Sequence, residues 1–354
     1  MAQPNFELVN NTFALSPMVL RATMEAGTGI TLTVSVNRTG EAVQIELQAD
    51  TDGNVVYDMA PLVRDLIRRQ FRRENIKGYT FSPYGLTLTT KLDNTYTLEH
   101  YVLWARAERS LVKTILEQNA VALLPSRKVT YNRDAPQMLF SLFAQEEEDN
   151  SIYIKNKAGK EFGVFDYVIN SAYNWDVPFM ERYTEIQLPE GDYQVFIGER
   201  PQRFLFDLTV TDGCFPTEAL KDGTMVYIRF CNQWGGISYA LLQCPQRSKK
   251  NKNTYVQKQY ALDGNPDSET LYTVYPDRVM TGQEITPSFK AGKDKLTSDE
   301  LRELQAILVS PMVDRYDAEA NEWVPVYPSD STVTETNDAL HEITIDFDEN
   351  TEGF

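Results

Sequence analysis

Residues 30–50 read ITLTVSVNRTGEAVQIELQAD, and their period decides the fold class. Ile30, Leu32, Val34 and Val36 alternate with Thr31, Thr33 and Ser35. A period of two sends one set to one face of a pleated strand and the other set to the opposite face. Thr39-Gly40 interrupts the run, and VQIEL resumes it. This predicts half-buried antiparallel strands joined by a tight turn. Asp52-Gly53-Asn54 marks the next turn.

Upstream, TFALSPMVLRAT (12–23) continues the strand chemistry. Downstream, the period changes. In MAPLVRDLIRRQFRRE (59–74), Leu62, Val63, Leu66, Ile67 and Phe71 share one helical face. Arg64, Arg68, Arg69, Arg72 and Arg73 cover much of the rest. Asp58 suits the N-cap, and Pro61 the first turn. The basic face reads as a binding stripe (Arg64, Arg68, Arg72) or as a solvated face that meets the acidic remainder of the chain. From residue 79 to 103 strand chemistry returns, with Asp93-Asn94 as a turn. Residues 105–119 fit either a short helix or a strand followed by a loop. A first β-sandwich-like module is therefore expected over 1–125.

From 126 to 245 the text is almost all strand and turn, which predicts a second sandwich. It includes an expected corner at Trp175-Asp176-Val177-Pro178 and a turn at Pro189–Gly191. The third segment, 246–354, opens on QRSKKNKNTYVQKQYALDGNPDSET, a polar stretch that reads as a loop or linker. Lys249, Lys250 and Lys252 make it locally basic. A helix follows, with a capping box between Thr297 and Glu300 and a stop at Ser310-Pro311. HEITIDF is the last strand, and an acidic tail closes the chain. The final twenty residues hold seven acids and no lysine or arginine. The fold class is thus mostly β, two or three Ig- or fibronectin-III-like sandwich modules with a few short helices.

Composition narrows the function. Among 354 residues the formal net charge is −17, which disfavours nucleic acid and anionic membranes as partners. No apolar run approaches the roughly 20 residues a bilayer demands. The first residues lack the basic start and apolar stretch of a signal peptide. Cys214, Cys231 and Cys244 have neither the even count of a disulfide framework nor paired C-x-x-C knuckles. They read as buried, reduced thiols.

Catalytic parts are missing from the text. His100 and His341 are the two histidines, neither beside a nucleophile motif. No phosphate-cradling glycine motif occurs, and Gly235-Gly236 reads as a turn. Asp50–Asn54 and Asp346–Glu352 each resemble a truncated calcium loop, and are read instead as a turn and a solvated tail. No cofactor and no metal is expected. Tyr173, Trp175 and Phe179 form one aromatic group, and Trp234 with Tyr239 another. Each serves as core filling, a sugar platform or an interface hot spot.

The order of features resembles a family of virion proteins from tailed phages and prophages of Bacteroidetes bacteria. The likeness is carried by FALSPMVLRA, YDMAPLVRDLIRRQF, ALLPSRKVTYNRDAPQMLFSLFA, CFPTEALKDGTMVYIRFCNQWGGISYALLQ and LTSDELRELQAILVSPMVDRYDAEANEWVPVYPSDSTVT. Its most specific parts are the Asn232–Gly236 turn and the helix joint at Ser310-Pro311. The resemblance implies a non-enzymatic tail component, near the tail tip or baseplate, made in the host cytoplasm and carried in the virion. Its implied partners are copies of itself and other tail proteins, with a host surface glycan as a further candidate. The alternative is a carbohydrate- or receptor-binding module of the virion using Tyr173, Trp175 and Trp234.

Overall fold

The computed structural model describes residues 5–10, 12–70, 80–81, 85–93, 96–107, 120–125, 127–136, 139–144, 151–166, 173–178, 188–198, 202–213, 215–257, 278–335 and 340–349. The chain begins with strands β1 (Asn5–Val9), β2 (Val19–Thr23), β3 (Gly29–Val36), β4 (Ala42–Gln48) and β5 (Asn54–Asp58), then helix α1 (Ala60–Gln70). Strands β6 (Thr80–Phe81), β7 (Gly85–Leu92) and β8 (Tyr96–Leu103) follow. The strands β1, β2 and β5 make one sheet, and β4, β3, β7 and β8 the other. The alternation of residues 30–36 lands as expected: Ile30, Leu32, Val34 and Val36 are buried. They join Leu20, Ala22 and Val55 from the facing sheet in one core. Helix α1 closes that core with Val63, Leu66 and Ile67. Asp58 accepts from the amides of Ala60 (3.0 Å) and Met18 (2.9 Å), so it starts the helix and ties it to the first sheet.

Gly53 shows why the Asp50–Asn54 turn has its sequence. Its φ is +80°, and a Cβ there would lie 2.2 Å from the Met24 carbonyl oxygen. Asp50 Oδ1 accepts from Asp52 and Asn54 amides at 2.9 and 2.8 Å. These carboxylate contacts build a turn, as expected from the text.

The middle of the chain contributes β9 (Ala120–Ala122), β10 (Lys128–Asn132), β11 (Leu139–Ala144), β12 (Ser151–Asn156), β13 (Glu161–Asp166), β14 (Tyr173–Pro178), β15 (Gly191–Ile197) and β16 (Arg203–Thr211). They form a five-stranded sheet, β10-β16-β15-β12-β13, and a four-stranded sheet, β6-β14-β11-β9. The expected corner at 175–178 is instead strand β14, paired with β11 from Tyr173 to Pro178. Pro178 sits at the strand end, where its missing N–H does no harm. The expected boundary at 125 falls after β9, and both β9 and β6 lie in the second unit's sheet.

Helix α2 (Thr217–Lys221) leads into β17 (Met225–Cys231), β18 (Ile237–Gln257), β19 (Arg278–Leu296), helix α3 (Ser298–Val309), β20 (Val313–Asp317), β21 (Glu322–Glu335) and β22 (His341–Glu349). These strands close into a six-stranded antiparallel barrel, β17-β18-β19-β22-β21-β20, sealed by pairing of β20 with β17. Its interior holds Ile228, Phe230, Leu242, Ile343, Ile345 and the stacked pair Phe289–Phe347, 4.9 Å between centroids. Helix α3 inserts Leu304, Ala306 and Ile307 into the same core. Its capping box is present: Glu300 N donates to Thr297 Oγ1 at 3.3 Å, and Thr297 N to Glu300 Oε2 at 2.9 Å. Gly292 is needed where β19 meets β22, because a Cβ would lie 2.3 Å from the Ile343 carbonyl oxygen.

The mostly-β architecture of sheet modules with a few short helices agrees with the expectation. Two segment readings are corrected. The boundary at 245 falls inside β18, and Gln246–Gln257 continues that strand instead of forming a linker. Lys and Asn are disfavoured in strands, but pairing along β19 overrides that preference. Residues 258–277 lie outside the described residues. Among the described residues the acidic tail is likewise strand, apart from Leu340. Asp346, Asp348 and Glu349 belong to β22, whose intervening Ile343, Ile345 and Phe347 fill the barrel. A cut at 334 would therefore remove a barrel stave, not a loose end.

Candidate functional site

Asn232, fully buried, stands where the barrel meets the rest of the chain. A buried amide is costly unless its donors and acceptors are all used. Here Nδ2 donates to the Leu123 carbonyl (3.0 Å) and to Ser238 Oγ (3.1 Å). Oδ1 accepts from the amides of Trp234 (2.8 Å) and Gly236 (3.1 Å). One side chain thus shapes the turn between β17 and β18 and fastens it to the segment after β9. Ser141 of β11 adds a second tie: its Oγ accepts from the Ile237 amide (3.0 Å), and its carbonyl from the Leu123 amide (2.8 Å). The Gln233 carbonyl accepts from the Arg106 amide (2.8 Å), which brings in the chain after β8. Gly236 allows this approach, since a Cβ would lie 2.3 Å from the Leu123 carbonyl oxygen.

The two features singled out as most specific on sequence meet here. Cys231, the residue before Asn232, donates its amide to Ser310 Oγ at 2.9 Å. The break after helix α3 and the Asn232 turn are therefore one construction. Ser238 connects it to the helix as well, because it hydrogen-bonds Glu303. Burial holds the Glu303 carboxyl above its usual range, while Ser238 and Lys293 pull it back.

Trp234 is half-buried and packs against Phe13, Leu103, Ala105 and Leu123. Tyr239, grouped with it on sequence, packs elsewhere. It stacks on Tyr227 (5.7 Å between centroids, planes 21° apart) and meets Trp323 (6.0 Å). Trp323 also touches Tyr316 at 5.4 Å and carries the Arg229 guanidinium 4.6 Å above its ring. Arg229 Nε donates to Asp314 Oδ2 at 2.9 Å, and Asp314 is 1% exposed. Burial pushes the Tyr227 phenol far up. Sequence reasoning missed this stripe. Its signal was the alternation of Tyr227, Arg229 and Tyr239 with apolar neighbours. The partners on β20 and β21 are about ninety residues away and become visible through the barrel closure.

The arginine face of α1 is engaged within the chain. Arg64 donates to the Ala14 carbonyl at 3.1 Å, and Arg68 lies 5.2 Å over the buried Trp104 ring. Arg69 pairs with Asp65 (2.6 Å) and Glu41 (3.4 Å). Of these three arginines, Arg69 is the one that meets acids. Arg72 lies outside the described residues. Tyr173 and Trp175 occupy alternate positions of β14, and Phe179 lies outside the described residues. Lys249, Lys250 and Lys252 lie in the second half of β18, the strand that carries Tyr239 near its start. His100 is buried and 3.0 Å from Thr90 Oγ1, and His341 is 3.2 Å from Ser298 Oγ. Among the described residues no cluster of three His, Cys, Asp or Glu could hold a metal ion.

No family model matches the chain, and no curated protein matches it. Solved structures similar to parts of it include a biofilm-associated protein BSP domain, at 9% identity and TM-score 0.18. That match covers 60% of this chain and 30% of the other, so this chain spans less than a third of that protein's length. A tetra-tandem repeat from the extending region of a large adhesion protein matches at 9% identity and TM-score 0.20, over 82% of this chain and 69% of that one. A two-domain fibronectin type-III segment of chicken tenascin matches at 8% identity and TM-score 0.18, over 57% and 94%. Such TM-scores decide nothing about what this chain does.

Proposed function

We propose that this chain is a structural component of a bacteriophage tail, near the tail tip or baseplate, that works by self-assembly and protein–protein contact without catalysis. The observation that carries the reading is the Asn232 joint. Its buried polar groups are spent on fastening β modules to one another, which is what a subunit that transmits load needs. The resemblance to Bacteroidetes phage virion proteins includes this turn and the Ser310-Pro311 break, and Cys231, the residue before the turn, donates its amide to Ser310. The net charge of −17 keeps such a subunit soluble until a basic surface meets it. In this reading its partners are copies of itself and other tail proteins.

A purified chain is expected to form rings or higher oligomers in light scattering and negative-stain microscopy. A strictly monomeric species at all concentrations would refute self-assembly. A second reading, a glycan- or receptor-binding module, is favoured by the alternate placement of Tyr173 and Trp175 on one strand. It requires binding on a glycan array that Trp175→Ala abolishes.

A further inference from the structure

We infer that the far half of the β18–β19 hairpin is a docking arm, and that its occupant is the β21–β22 wall of a second copy of this chain. The inference rests on the self-assembly reading and names the surfaces. Strand β18 pairs with β17 only between Ile237 and Gln243, and β19 pairs with β22 only between Ser288 and Leu296. Beyond the Ser248–Ser288 pair, residues 249–257 and 278–287 pair with each other and, among the described residues, with no further strand. At about 3.3 Å per residue, that ribbon extends roughly 30 Å past the barrel. Two strands alone are marginally stable in water, and where no further strand pairs, as here among the described residues, an outer edge presents backbone donors and acceptors for a partner. An arm of this kind gains stability when a partner covers it.

Charge selects the partner. The two arm segments hold four basic residues, Lys249, Lys250, Lys252 and Arg278, against one acid, Glu284, in a chain of net charge −17. Strands β21 and β22 are the reverse, with seven acids and no lysine or arginine. Lys290 and Arg315 from flanking strands meet Asp346 (3.2 Å) and Glu349 (3.4 Å). Asp330 and Glu342 are exposed on the wall. Beside them, Tyr327 and Val333 are 52% and 42% exposed, apolar surface of the kind an interface uses.

The arm is not placed to cover its own wall. Ser288 stands opposite Asp348 near the end of β22, and the arm runs on from there, away from Glu342. The acidic wall it fits is therefore another molecule's. Arm-to-wall contact is head-to-tail, so it propagates into a ring or a filament.

The test is sedimentation velocity of the full chain at low and high salt, with three variants. One replaces residues 249–287 by Asn-Gly between Ser248 and Ser288, which are already paired in register with Oγ atoms 2.9 Å apart. One reverses the arm (Lys249→Glu, Lys250→Glu, Lys252→Glu), and one the wall (Asp330→Lys, Glu342→Lys). Wild type is expected to associate, less so as the Debye length shrinks from about 10 Å at 0.1 M to about 3 Å at 1 M salt. Each variant loses about tenfold or more in association constant, and mixing the arm-reversed with the wall-reversed chain restores it. An excision variant with native far-UV circular dichroism that associates as tightly as wild type overturns the arm while leaving self-assembly standing. Wild type that remains monomeric yet binds polyglutamate overturns the choice of a second copy. Wild type inert in every condition overturns both readings.

Discussion

Replacing Asn232 by alanine tests the idea that one buried amide couples the barrel to the rest of the chain. The side chain makes four hydrogen bonds, two as donor and two as acceptor, and has no exposed surface. A typical intramolecular hydrogen bond contributes about 1 kcal/mol net, so the four together come to about 4 kcal/mol. Alanine also leaves the Leu123 carbonyl and the Gly236 amide without these partners at a buried site, and the cost per stranded group is about 1–3 kcal/mol. Against a total stability of about 5–15 kcal/mol, this loss is large. Scanning calorimetry and urea unfolding, followed by both tryptophan fluorescence and far-UV circular dichroism, measure it. The wild type should unfold with the two probes in step. Asn232→Ala should lower the midpoint and separate the probes, because the barrel then melts on its own. Gly236→Ala, which forces a Cβ against the Leu123 carbonyl oxygen without touching the amide, should behave alike. If Asn232→Ala costs under about 1 kcal/mol and the probes stay coincident, the joint is not what holds the modules together.

The Glu303 carboxyl is raised by burial, so the folded state holds its proton to higher pH than the unfolded chain does. Stability from this group is full below the ordinary carboxylate range and lost as pH rises through the folded value. Glu303→Gln should therefore melt above wild type at neutral pH, with the difference closing near pH ~4, as thermal melts across pH would show. Arg229→Ala should cost about 3 kcal/mol, since it strips the guanidinium from the buried Asp314 and uncovers Trp323. A loss within about 0.5 kcal/mol in urea titration would place that pair among ordinary surface ion pairs.

Local structure was legible wherever one residue's chemistry decided its own conformation. The alternation at 30–36, the arginine-faced helix at Ala60–Gln70, the capping box at Thr297 and Glu300, and the turns at Gly53 and Gly235 depend on neighbours within a few residues. The segment 246–257 was not legible, because its Lys and Asn content speaks for a loop, and the partner that makes it a strand lies further along the chain, from Arg278 to Lys290. The acidic end was half legible: HEITIDF read as a strand, yet its acids also suit a tail until β19 and β21 flank it.

By itself, the amino-acid sequence determined the β class, the sites of helices α1 and α3 but not of α2, the turns at Gly53 and Gly235, and the acidic balance. Those follow from side-chain periodicity, from backbone torsion limits and from counting charges, all of which are local or additive. Only the tertiary structure decided that the last six strands close on themselves, that Asn232 meets Leu123 across 109 positions, and that Arg229 finds Asp314 across 85. Pairings at that separation depend on which strand edges remain open once neighbours have paired, and no window of sequence carries that information.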